Sequence, residues 1–208
     1  VNVAGAVDKF TATTTITPNR SMFVGFAPLV TVSFTEMVAM MSVLGIDIGV
    51  SGGVAILTDA GDLISVHEMP CLHDGPKKRR TINAPLLASI IFNSHATRAF
   101  VELVGPRPNE GVVGAFAFGD SKGCIRGVLA GAAIPVIWIT PASWKRAVNI
   151  APGKEGAKDA ARAQAIARWP DKAELFRHKN DDGLAEAALI GIAGLKSFDI
   201  HVARSQVA

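Results

Sequence analysis

Five short runs of aliphatic and β-branched residues, with the spacing between them, constrain the fold of this chain more than any other feature. The first three, Ser42–Gly49 (SVLGIDIG), Val54–Thr58 (VAILT) and Leu63–Glu68, follow one another across turns such as Asp59-Ala60-Gly61-Asp62 and read as an antiparallel meander. After them the pattern changes. Ile82–His95 sets Ile82, Leu86, Leu87, Ile90 and Ile91 at helical spacing, with Pro85 tolerated in the first turn. Arg98–Val104 (RAFVELV) is a fourth strand, Gly114–Ala132 a helix in spite of its glycines, and Pro135–Ile139 (PVIWI) a fifth strand. A short helix is expected from Pro141, and others over about Ala157–Arg168 and Asp182–Leu195, the last amphipathic. Three strands followed by helices alternating with strands imply an α/β domain, a mixed five-stranded sheet flanked by helices.

A chain of 208 residues with 49% hydrophobic and 19% charged side chains is long enough for one full core and falls outside the disordered class. Residues 1–40 lack both helical and strand periodicity and are expected to lie outside the domain, which is read as residues 41–208. The clean start at Met41 suggests a disordered or non-native extension produced by a mis-assigned upstream start. No basic segment leads into an apolar run as in a signal peptide, and Pro28, Ser33, Thr35 and Glu36 interrupt the stretch from Met22 to Met40. No membrane partner is expected.

Net charge is only +3, but it is unevenly spread. Between Thr140 and Asn180 nine Lys and Arg stand against four acids, and Lys77, Lys78, Arg79 and Arg80 form a second basic run after Gly75-Pro76, expected on a loop. Both suit a polyphosphate ligand; both also fit ordinary solvated faces. Two distant cysteines, Cys71 and Cys124, argue against a disulfide framework and a thiolate metal site, and a cytoplasmic setting is expected.

Carboxylates stand where packing alone would not put them. Asp47 interrupts SVLGIDIG and Glu102 interrupts VELV, and a buried carboxylate must be neutralised by a cation or by a structural ion pair. Asp182 and Glu186, four apart, share one helix face, where they suit a cation; Asp182 equally suits an N-cap, with Asp181 and Glu186 favourable near the helix start. Acids without paired Cys or His select hard cations, Mg²⁺ or Mn²⁺. Two such ions about 4 Å apart are suited to hydrolysing a phosphodiester.

GIDIGVSGGVAIL (Gly45–Leu57) resembles the first strand and turn of RuvC-type Holliday junction resolvases of the ribonuclease-H-like superfamily, and VELV (Val101–Val104) resembles their second acidic strand. The stretch from Phe116 to Trp144-Lys145-Arg146, then KDAARAQAIARWP and KNDDGLAEAALIGIAG, is similar to the plant chloroplast resolvases and their bacterial and phage relatives. The resemblance spans about Ser42–Leu195. It implies a ribonuclease-H-like fold and a homodimeric crossover junction endodeoxyribonuclease that nicks a four-way DNA junction symmetrically. Asp47, Glu102, Asp182 and Glu186 would be catalytic and would hold two Mg²⁺ or Mn²⁺ ions, with Asp181 a rival ligand. Many RuvC proteins end this set with Asp at a spacing of three; here Glu186 lies four from Asp182, so Asp181 and Asp182 stay open as alternatives. Lys77, Lys78, Arg79, Arg80, Lys145 and Arg146 are the expected DNA contacts. Two other readings accompany this one. A non-catalytic junction-binding protein would use the acids structurally, and an actin-like or sugar-kinase-type ATP-binding protein would need a second Gly-rich phosphate segment that the chain lacks.

Overall fold

The computed structural model describes residues 41–75, 78–105, 111–151 and 157–205. Its main sheet has five strands in the order β3-β2-β1-β6-β7, formed by β1 (Ser42–Asp47), β2 (Gly53–Thr58), β3 (Leu63–Glu68), β6 (Ala96–Glu102) and β7 (Val136–Ile139). β1, β2 and β3 pair antiparallel, as their short turns require, whereas β6 runs parallel to β1 and β7 parallel to β6 across helical connections. Tight packing anchors the β2–β3 turn, where the Trp169 indole donates to Gly61 O at 3.2 Å.

A two-stranded hairpin, β4 (Cys71–Gly75) with β5 (Arg79–Ile82), stands where no strand is expected from the sequence. Arg79 and Arg80, expected on a loop, are strand residues, and Ile82 ends β5 instead of opening the next helix. That helix, α1 (Ala84–Asn93), starts later because the Asn83 side chain accepts from Leu86 N at 3.2 Å and so caps it. The remaining helices are α2 (Val112–Gly131), α3 (Pro141–Ala147), α4 (Ala157–Arg168) and α5 (Asp182–Ser205). α5 runs well past the expected end at Leu195, and short 3-10 segments at Pro170–Phe176 and Lys179–Asp181 lead into it.

Side chains alternate across the sheet and build two cores. Val43, Leu57 and Phe100 face a layer holding Trp144, Ala165, Leu189 and Ile192 of α3, α4 and α5, with Trp169 just after α4. Leu44, Ile46, Ile56 and Val101 face Leu87 and Ile91 of α1 with Ile125 and Leu129 of α2. α5 presses hard on its side. A Cβ on Gly45 would stand 2.1 Å from Ala187 O, and one on Gly194 would stand 2.0 Å from the Phe100 ring. No helix among the described residues is long and apolar enough to cross a membrane.

Candidate active site

Sheet register fixes the centre of the site. Ile46 pairs with Val101, so the next residues, Asp47 and Glu102, end neighbouring parallel strands side by side. Alternation puts Asp47 on the face of Val43 and Gly45, and Glu102 on the face of Phe100, which is the side covered by α5. Because α5 crosses β1 at Gly45, its first turn passes just beyond the strand end. Gly183 makes the approach possible: a Cβ there would lie 2.2 Å from Ser51 O in the β1–β2 turn. That turn is itself tight, with Gly52 N donating to Gly49 O at 2.8 Å and Gly52 packed against Asp47.

These elements enclose a cleft of about 690 Å³ into which Asp47, Glu102, Asp182 and Glu186 all face. Arg79 and Arg80 of the hairpin line it too, as do Gly114, Ala117, Phe118 and Ser121 of α2. The charge density is visible on Asp47, whose carboxyl is pushed up to about 7, first by burial and then by Glu102 and Glu186, with a smaller push from Asp182. Only the Gly49 amide, 3.5 Å from Oδ1, acts the other way. Glu102 is held from behind: the buried Trp144 indole donates to its Oε1 at 2.8 Å.

The donor set fits a hard divalent cation, since four carboxylates repelling one another in one cleft are what such a charge relieves. Among the described residues, no three His, Cys, Asp or Glu side chains stand close enough as placed to hold one ion together. The carboxylates would therefore have to draw in around it.

The other expected site residues sit elsewhere. Asp181 does not line the cleft; its carboxylate accepts from His178 N at 2.7 Å and closes the 3-10 turn before α5. Lys145 lies over the Trp144 ring at 5.2 Å and Arg146 is exposed on α3, both away from the cleft lining. Lys78, at the hairpin turn with φ 57°, is exposed and outside the lining, and Lys77 lies outside the described residues. The α2 wall of the cleft is not among the site residues expected from the sequence. Its signal was the set of small residues Gly114, Ala117 and Ser121 at helical spacing.

No family model and no curated protein matches the sequence. Solved structures do match. RuvC of Thermus thermophilus in complex with Holliday junction substrate superposes with a TM-score of 0.53 at 16% identity, over 76% of this chain and 96% of that one. A second structure of Thermus thermophilus RuvC gives 0.50 at the same identity and coverage. The chain has the RuvC-type ribonuclease-H-like fold. Within this RuvC-like architecture the mixed sheet flanked by helices is the one expected from the order of apolar runs.

Proposed function

We propose that this chain is a divalent-metal-dependent endonuclease that resolves four-way DNA junctions. The observation that carries the reading is the convergence of Asp47, Glu102, Asp182 and Glu186, drawn from β1, β6 and α5, on one cleft that also holds two arginines. Asp182 is preferred to Asp181 because it lines the cleft and Asp181 does not. Asp47, at the centre of the mutual repulsion, is the natural bridging ligand, with Glu102 to one side and the α5 pair to the other. Bound there, two Mg²⁺ or Mn²⁺ ions would supply an activated water and charge relief at the leaving oxygen. Arg79 and Arg80 are suited to hold phosphate beside the acids. Similarity in sequence motifs to the plant chloroplast resolvases and the fold of a protein solved on a Holliday junction both favour a branched DNA substrate. A cytoplasmic enzyme of a bacterium or its phage fits the reading.

Incubating the purified protein with labelled four-way junction, linear duplex and ATP, with and without Mg²⁺, tests it. Metal-dependent nicking of the junction is expected. Binding without nicking would instead favour the non-catalytic reading, and ATP turnover the kinase-like one. Replacing Arg79 and Arg80 together by Ala should weaken binding and lower the salt slope by up to about 2. Lys145 and Arg146 are proposed as DNA contacts outside the cleft, with the same readout.

The enzyme is proposed to act as a homodimer through α2. Two opposed nicks on a two-fold-like junction are most simply made by two identical sites. Along α2, Gly119, Gly123, Gly127 and Gly131 have no atom from beyond their own helix turns within 4 Å of a Cβ position, while Ile125 and Leu129 face the protein's own core and Ser121 faces the cleft. Val112 and Phe116 at the start of the helix are 85% and 77% exposed. Gly123→Glu should give folded monomers that nick without coordination; sedimentation finding wild type monomeric, free and on a junction, would remove the dimer from the mechanism.

A further inference from the structure

Trp144 is fully buried, does not line the cleft, and directs its only polar atom at a cleft carboxylate. A buried indole N–H needs an acceptor, and a backbone carbonyl usually suffices, as for Trp169 on Gly61 O. Here the acceptor is Oε1 of Glu102, a carboxylate that is itself 9% exposed. Local structure makes the contact reproducible. Glu102 pairs with Ile139 at the end of β7, and Leu103 N donates to Ile139 O at 2.7 Å. The chain then turns at Thr140, whose hydroxyl accepts from Ser143 N at 3.3 Å, and the first turn of α3 carries Trp144 back behind Glu102.

We infer that Trp144 is a positioning residue, whose indole N–H fixes the orientation of the Glu102 carboxylate so that one oxygen is held by the core and the other is presented to the cleft. The inference rests on the reading of this cleft as a divalent-metal site. A carboxylate on a flexible side chain loses rotamer freedom when it ligates an ion, and a partner that holds it beforehand removes part of that loss. Trp144 touches neither substrate nor ion and acts only through Glu102.

Indole N–H resonances of ¹⁵N-labelled protein give a readout independent of cleavage. The Trp144 signal, identified by its loss in Trp144→Phe, should move on addition of Mg²⁺ and move again in Glu102→Gln, while that of Trp169 stays fixed. Calorimetry should find Mg²⁺ bound about 10-fold more weakly by Trp144→Phe, with metal-free junction binding unchanged. A Trp144 signal indifferent to both Mg²⁺ and Glu102→Gln overturns the inference, as does a folded Trp144→Phe with wild-type Mg²⁺ affinity and only a lowered Tm. Should that variant fail to fold, the Trp144 signal is assigned in the wild-type protein by its contacts with neighbouring side chains, and its response to Mg²⁺ and Glu102→Gln decides alone. A protein that nicks no DNA but whose Trp144 signal follows Mg²⁺ would sink the nuclease reading and leave the positioning role standing.

Discussion

Two helices of this protein carry stripes of small residues, and the stripes meet opposite surroundings. On α5, Gly183, Ala187, Gly191 and Gly194 are pressed against the β1–β2 turn, β1 and the Phe100 ring, so closely that a Cβ on Gly191 would fall 2.5 Å from Leu57. On α2, Gly119, Gly123, Gly127 and Gly131 have nothing near them. Glycine inside a helix costs about 1 kcal/mol relative to alanine, a loss that a close contact can offset. For α5 the contact lies within the subunit, and it brings Asp182 and Glu186 to Asp47. For α2 it is proposed to lie in a second copy. One stripe thus builds a site and the other leaves a surface open.

The largest expected effect falls on the α5 side. On the proposed reading, Asp47→Asn should lower the nicking rate by more than about 100-fold while sparing junction binding, because it would remove the charge shared by the two ions with little change in volume. Wild-type nicking by the variant would detach the α5 cleft from the chemistry. Next comes Gly45→Ala, whose Cβ would meet Ala187 O at 2.1 Å and Gly191 N at 2.6 Å, both backbone. With no flexible group to yield, it should cost about 3 kcal/mol in urea unfolding.

Asp47→Asn also separates charge from packing through pH. The unfolded chain releases the Asp47 proton near the ordinary aspartate value of 3.8 and the folded protein near 7, so the folded state holds the proton longer. Stability of the wild type, measured in EDTA, should therefore fall as pH rises between those values. The variant does not ionise there, and above pH 7 it should be more stable by a few kcal/mol, with the gain vanishing below pH 4. A constant difference across that range would mean that Asp47 is not held near neutrality.

The smallest effect is the sharpest control on the comparison. Gly127→Ala, measured at dilutions where subunits are separate, should stabilise by up to about 1 kcal/mol, since it restores helix propensity in open space. A loss comparable to that of Gly45→Ala would show that the α2 stripe is packed within the subunit after all.

The strands were legible because each is a run of β-branched residues between turn residues, and Asp47 and Glu102 were conspicuous as charges inside such runs. The β4–β5 hairpin was not. Cys71-Leu72-His73-Asp74 and Arg79-Arg80-Thr81-Ile82 carry too few apolar residues for a period of two to show, and the surface that β5 meets on α2 is far away in sequence. Asp181 and Asp182 were indistinguishable because both stand at the helix start, and only the packing of α5 on the β1–β2 turn puts Asp182 in the cleft lining and leaves Asp181 out of it. Trp144 and Glu102 are far apart in sequence, and only the β6–β7 register joins them. Charge counting in turn gave no direction: Arg79 and Arg80 reach the cleft, while Lys145 and Arg146 are carried off it by the short helix that aims Trp144.

Dependence of the cleft on α5 also sets a schedule for biosynthesis. Every strand of the sheet leaves the ribosome before Asp182 does, and at roughly 5–20 residues per second the segment between β7 and α5 takes a few seconds to emerge. During that interval the Val43 and Phe100 face stays exposed to water without its full helical cover, which makes the nascent chain a natural client for chaperones. Two of the four acids are still absent. On the proposed reading, a ribosome-bound or prematurely terminated chain is a silent fragment, and the cell's DNA meets the enzyme only once the helix that closes the fold has docked.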